Sequence, residues 1–322
     1  KALILKPNDI DSLFALSELY YKKGELVEAE GLFRRIIRLT PGDAYSETAY
    51  VNLGIILDEM ERFGDSIEAF EAAIALNPKN QSARYNLGLA YLHAGMPTKA
   101  IESLRKSTAI DPNHIPSRLA IADYYLENKY FREAISEYEE VLSEKSEVNE
   151  ARLKLAEAYI QNKNFEAAEK HLVFVLNHSR DGKEIKLAHR KLALTYAANG
   201  NSGSSNKAKE EAFRASHIDP EDMESKLVLS KILIDTGSLV DREKAIDELN
   251  VIIRSDVAPT LLAKAHNYLG VCYFKNGEFK RAMSEFQMAV DISPSLTEAY
   301  ENKRAARAQY EKSLESKKRT YF

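Results

Sequence analysis

The chain has 322 residues, of which 44% are hydrophobic and 29% charged, with a formal charge of −4. Near-neutrality gives no general attraction for phosphate backbones, so nucleic acid is not expected as a partner. One cysteine, Cys272, excludes an internal disulfide and a multi-cysteine zinc site, and no run of about 18 apolar residues exists to insert into a membrane.

The opening residues KALILKPND lack the layout of a secretory signal. Ala2, Leu5 and Pro7 instead match the later stretch from Ala73 to Pro78. Residues 1–7 are therefore expected to be the end of a truncated upstream repeat, making the sequence a piece of a longer protein. Cysteine usage suits a reducing cytoplasm, or a periplasm reached through a signal or anchor outside this sequence.

A repeat of about 34 residues follows. Pro78 and Pro112 are 34 apart, and aligned on them are Leu53-Gly54 with Leu87-Gly88 and Phe70 with Leu104. Each repeat predicts two amphipathic helices with an apolar stripe at spacings of three and four. Once per repeat, at Ser17, Gly54, Gly88, Ala122, Ala156, Ala193, Ser230 and Gly270, the first helix carries a small residue where a bulky one would push its partner away. Gly24, Gly95, Gly200, Gly237 and Gly277 mark turns between paired helices, and Pro41, Pro78, Pro112, Pro220 and Pro294 close the second helices. One such pair cannot cover its own apolar face, so neighbours must stack.

This pattern resembles the tetratricopeptide repeat, whose signature runs Leu-Gly/Ala-x2-Tyr, then Ala-x3-Phe, then Pro. The first part stands here as Leu16-Ser17/Tyr20, Leu53-Gly54/Leu57, Leu87-Gly88/Tyr91, Ile121-Ala122/Tyr125, Leu155-Ala156/Tyr159, Leu192-Ala193/Tyr196, Leu229-Ser230/Leu233 and Leu269-Gly270/Tyr273. The second stands as Ala29/Phe33, Ser66/Phe70, Ala100/Leu104, Ala134/Tyr138, Ala168/Leu172, Ala208/Ala212, Ala245/Leu249 and Ala282/Phe286. The resemblance implies an all-α, right-handed superhelical solenoid of antiparallel helix pairs. Its eight repeats run approximately over 8–41, 42–78, 79–112, 113–146, 147–182, 183–220, 221–259 and 260–294.

Tryptophan is absent, and its usual place is held by Leu13, Tyr50, Arg84, Arg118, Arg152, His189, Lys226 and His266, whose stems are expected to cover that surface. Insertions after Pro41, near Arg180–Lys186, in Asn199–Asn206 and around the second helix of the seventh repeat should lengthen loops or add helical turns. Residues 295–322 form a C-terminal capping helix and basic tail, with Lys303, Arg304 and Arg307 in place of the expected apolar and small residues.

Chemistry-bearing motifs are sparse. The seven histidines form no metal-ligand spacing, Cys272 fits a small buried hydrophobe, and Gly200–Ser205 lacks the lysine of a phosphate loop. No cofactor and no metal are expected, and the chain is read as a non-enzyme.

The resemblance places the first helices on the concave face and assigns it Val51, Asn52, Ile55, Tyr85, Asn86, Leu89, Leu92, Leu119, Asp123, Leu126, Glu127, Leu153 and Glu157, an apolar surface with an acidic band. Arg190, Lys231, Lys264 and Lys275 follow at corresponding places, giving a change of sign. Asn52 and Asn86 could pair with the backbone of an extended peptide. The competing account packs these leucines between neighbouring first helices. Lysines and asparagines of a chaperone-tail clamp are missing, with Phe14, Glu18 and Val51 at comparable places. The expected function is a protein–protein interaction scaffold binding a helical or extended segment of a partner protein or peptide within a larger assembly. Alternatives are the targeting arm of an enzyme whose catalytic domain lies elsewhere, and a self-assembling homo-oligomer in which the basic tail meets an acidic groove.

Overall fold

A computed structural model describes residues 6–201 and 203–320, with side chains set aside at 236 and 316–320. The expected remnant of an upstream repeat falls largely on residues outside this range. All regular structure among the described residues is α-helical: α1 (Ile10–Lys22), α2 (Leu26–Leu39), α3 (Ala44–Glu59), α4 (Phe63–Leu76), α5 (Gln81–His93), α6 (Pro97–Ile110), α7 (Ile115–Glu127), α8 (Phe131–Glu144), α9 (Asn149–Gln161), α10 (Phe165–His178), α11 (Gly182–Asn199), α12 (Ser204–Ile218), α13 (Met223–Thr236), α14 (Leu239–Arg254), α15 (Pro259–Lys275), α16 (Phe279–Ile292) and α17 (Thr297–Thr320). Two compact units divide the chain, one up to Glu147 and one from Val148. Within each, a first helix packs on its own second helix and that on the next first helix, the arrangement expected of an all-α repeat array.

The signature residues explain this packing. Phe70 is buried beneath Gly54, where an added Cβ would come within 2.6 Å of the ring. Leu104 stands at 2.6 Å from the same position on Gly88, and Phe286 at 2.6 Å from that on Gly270. The small residue of the first helix is thus the hole, and the large residue of the second helix the knob.

Turns between paired helices need a left-handed residue. Gly24, Gly95 and Gly277 supply it with φ of 77°, 71° and 80°. In three repeats the same place is held by Glu61, Lys129 and Lys163, with φ of 59°, 65° and 60°, which glycine counting on the sequence does not reveal. L-residues there cost about 1–2 kcal/mol. Lys129→Gly is expected to stabilise the protein by about 1 kcal/mol, read as a higher urea midpoint, and Ala94→Gly, at a C-cap with φ of −75°, should not.

Insertions appear as extra helix: α3, α11 and α15 have 16, 18 and 17 residues, against 13 in α5, α7 and α9. The absent tryptophan is replaced by more than stems. In four repeats the residue at its place meets a glutamate of the paired second helix: Arg118 with Glu137 at 4.0 Å, His189 with Glu211 at 2.5 Å, Lys226 with Glu248 at 2.7 Å and His266 with Glu285 at 2.7 Å. Arg152 instead lies 3.6 Å from the centre of the Phe174 ring, with Nη1 3.2 Å from His171. At the C-terminal end, α17 packs on α16 and α15 through the buried Ala299 and Ala306, while Arg304 and Arg307 are exposed.

Candidate functional site

In the N-terminal unit, neighbouring first helices touch at α1/α3 and at α3/α5, whereas α5 and α7 barely approach each other. The turn before α7 contains Pro112, and α7 itself starts on a histidine cap with Pro116 in its first turn. Ser117 donates its backbone N–H to His114 Nδ1 at 3.3 Å. Accepting that bond requires a neutral ring, and burial lowers the His114 pKa in that direction. The ring also meets Tyr85 edge-on at 5.1 Å. Helix α5 is capped by Asn80, which accepts from the Ala83 N–H at 2.7 Å and holds Glu47 of the preceding repeat at 2.6 Å.

Between the splayed helices lies a groove of about 820 Å³. Tyr85, Leu89, Leu92 and His93 line it from α5, Gly95 and Pro97 from the following turn, and Pro116, Leu119, Ala120, Asp123, Tyr124, Glu127 and Asn128 from the α7 side. Its walls are apolar and its charges acidic. Asp123 accepts a hydrogen bond from the hydroxyl of Tyr138, whose ring is fully buried. The Tyr85 hydroxyl has its pKa raised, chiefly by burial and further by the charge of Asp123. The arginines of α5 and α7 turn elsewhere: Arg84 donates to the Pro78 carbonyl at 2.9 Å, and Arg118 faces Glu137, Glu140 and Glu144.

Six of the sequence-identified residues therefore meet in one place: Tyr85, Leu89, Leu92, Leu119, Asp123 and Glu127. Leu126, on the same helix, is half-buried and outside the lining. Val51 and Ile55 pack against the cluster around Phe70 and Leu87, and Asn52 and Ile55 border a separate cavity of about 70 Å³. Both asparagines are partly engaged, since Asn52 Nδ2 donates to Thr48 O at 3.1 Å and Asn86 Nδ2 to Ser82 O at 3.0 Å. Their amides thus retain carbonyl oxygens for a peptide N–H but have already committed a donor.

The remaining candidates lie in the C-terminal unit. Leu153 is only 5% exposed and belongs to its core, as the competing account of these leucines has it. Glu157 accepts from Lys191 at 2.6 Å. Arg190 pairs with Glu224 at 2.6 Å and Asp222 at 3.4 Å, Lys275 donates to the Ile234 carbonyl at 2.9 Å, and Lys231 and Lys264 are exposed. The sequence did not single out His93, Pro97, Pro116 or Tyr124 as lining residues. Only the two prolines carried a signal, because each begins a helix at the groove mouth.

Cys272 is fully buried and its thiol pKa is pushed up to about 12 by burial, which keeps the nucleophilic thiolate from forming. Among the described residues no group of three or more His, Cys, Asp or Glu is placed to hold a metal, and no helix is long and apolar enough to cross a membrane.

Sequence profiles described as tetratricopeptide repeat match residues 1–44 and 51–115, residues 125–192, and residues 263–296. No curated protein sequence matches the chain. Among solved structures, the chain is similar to the C-terminal part of a TPR repeat-containing protein from Cytophaga hutchinsonii, at 16% identity and a TM-score of 0.59, covering 90% of this chain and 98% of that one. It is similar to a tetratricopeptide repeat protein from Parabacteroides merdae at 17% identity and a TM-score of 0.52, covering 92% and 98%. A chain of the APC/C hetero-tetramer Cut9–Hcn1 matches at 17% identity and a TM-score of 0.57, over 93% of this chain and 56% of that one. At these identities the likeness concerns the fold.

Proposed function

The chain belongs to the tetratricopeptide repeat family, a fold of protein–protein interaction scaffolds that is typically non-catalytic, and from that premise we propose that it holds a partner protein in the groove between α5 and α7. The observation that carries this reading is the splaying of two first helices, which leaves Tyr85, Leu89, Leu92 and Leu119 half-buried around a cleft of about 820 Å³. Apolar side chains gathered in a concavity mark a binding surface, whereas a scatter of them would not. A cleft of this size takes a few side chains of a helical or extended segment, and burying three or four of leucine size contributes on the order of 5–10 kcal/mol before ordering costs. Of the four basic candidates in the C-terminal unit, Arg190 and Lys275 are engaged within it and Lys231 and Lys264 are exposed, whereas six candidates gather around one cleft in the N-terminal unit, which makes that unit the better candidate for the primary contact.

The experiment is recovery of co-purifying partners by the wild-type chain and by Leu89→Asp and Leu119→Asp variants whose helical circular dichroism matches wild type. Recovery is expected to fall at least tenfold in both. Undiminished recovery from the folded variants would remove this groove from the function.

A further inference from the structure

A second cleft of the N-terminal unit lies between α1 and α3. It has a volume of about 410 Å³ and is lined by Asp11, Phe14, Ala15 and Glu18 from α1 and by Tyr45 and Thr48 from the start of α3. In the repeat period Phe14 and Glu18 hold the places of Tyr85 and Leu89, so this cleft is the counterpart, two repeats earlier, of the groove between α5 and α7. Its walls are aromatic. Phe14 is set edge-on against the buried Phe33 at 5.8 Å, its ring lies 6.1 Å from that of Tyr45, and Tyr45 is 44% exposed. Asp11 and Glu18 are exposed on one stripe of α1, about 10 Å apart along the helix axis with Ala15 between them. Among the described residues neither carboxylate is hydrogen-bonded or ion-paired. Helix α3 contains no lysine or arginine, and the only one in α1, Lys22, is exposed and outside the lining. An exposed aromatic face flanked by two carboxylates attracts a cation carried on an apolar stem.

We infer that the α1/α3 cleft takes a lysine or arginine side chain of the partner protein, its stem against Phe14 and Ala15 and its charge beside Tyr45, between Asp11 and Glu18. The partner is that of the scaffold reading above, on which this rests, but the contact is separate from the α5/α7 groove. A cation midway between the two carboxylates stands about 5 Å along the axis from either, inside the screening length of about 8 Å at physiological salt. A glutamate there would meet two like charges and the negative face of a ring, and a leucine would take water from two carboxylates without supplying a counterion. The cleft has half the volume of the α5/α7 groove, which suits one long side chain rather than several. Charge therefore contributes selection and encounter rate at α1, while the leucine-sized contacts between α5 and α7 hold the segment.

The test labels the full chain with fluorotyrosine and follows it by fluorine NMR, Tyr45→Phe assigning the reporter of this cleft and Tyr85→Phe and Tyr124→Phe those of the α5/α7 groove. Its probes are an amphipathic peptide of leucines and lysines, the same peptide with every lysine acetylated, and one with every lysine replaced by glutamate. The lysine peptide is expected to move the Tyr45 resonance at a concentration about fivefold or more below that needed by the acetylated peptide, and the glutamate peptide to leave it in place. Asp11→Asn/Glu18→Gln should raise the half-saturating concentration at Tyr45 by about fivefold or more while Tyr85 and Tyr124 go on responding. Equal half-saturation at Tyr45 by the lysine and acetylated peptides, or no change in the double variant, would overturn the cation site, and a continued response of Tyr85 and Tyr124 would leave the groove standing. A response of Tyr45 without Tyr85 and Tyr124 would support the cation site and remove the groove. A peptide of residues 297–315 of this chain is the last arm. If it moves Tyr45 at the same concentration as the lysine peptide and the chain sediments as a concentration-dependent dimer, the occupant is a second copy and the assignment to a foreign partner falls.

Discussion

Phe70→Ala is expected to lower the stability of the α3–α4 pair by about 3–5 kcal/mol, and Gly54→Ala to change sign in that background. The phenylalanine is 1% exposed and sits against the backbone of Gly54, so truncating it removes a full core side chain and leaves a cavity. In the wild-type chain, a Cβ on residue 54 would meet three ring carbons at 2.6, 2.7 and 2.8 Å, and the strain should destabilise by about 1–3 kcal/mol. Without the ring, the same methyl enters the cavity, and alanine's helix preference of about 1 kcal/mol over glycine takes over. Repeat arrays need not unfold in one step, so amide hydrogen exchange across α3 and α4 is the measurement. Additive effects of the two substitutions would show that knob and hole are not coupled.

Glu211→Ala should cost about 1–3 kcal/mol, while His189→Leu/Glu211→Leu together should lie within about 1 kcal/mol of wild type. Glu211 is 7% exposed and accepts from His189 Nδ1 at 2.5 Å at the surface a tryptophan would otherwise cover. Removing the carboxylate leaves the imidazole Nδ1 without its hydrogen-bond partner in a largely buried place, while the other partner of Glu211, Arg214, is exposed enough to find water. Two leucines leave no polar group behind. Denaturation followed by exchange in α11 and α12 distinguishes the cases, and a Glu211→Ala variant within 0.5 kcal/mol of wild type would show the pair contributes nothing.

Both predictions concern features that differ in how far the residues announce them. Gly54, Gly88 and Gly270 could be read as close-contact positions from their place in the period, because helix geometry fixes which residue faces the partner helix. The glutamates opposite Arg118, His189, Lys226 and His266 were invisible by the same route. They lie on the other helix at offsets of 19 or 22 residues, and which acid among several on that helix answers depends on the rotation of one helix against the other. Left-handed Glu61, Lys129 and Lys163 were hidden for a related reason, since their side chains carry none of glycine's conformational signal.

The sequence by itself determined the family, the helix pairs and their approximate limits, because a 34-residue period with knobs, holes and turns at fixed offsets admits one local solution for each repeat. It also marked Tyr85, Leu89, Leu92, Leu119, Asp123 and Glu127 as candidates, and the structure places these six around one groove. Tertiary structure decided which of those residues gather and which are consumed. Leu153 and Leu119 hold the same place in successive repeats, yet Leu153 is buried in a core and Leu119 lines the groove. The difference is the contact between neighbouring first helices: α9 packs against α11, whereas α5 and α7 barely approach each other. That separation is set by how whole repeats pack on one another, and a pattern of period 34, being the same in every repeat, cannot encode where it opens.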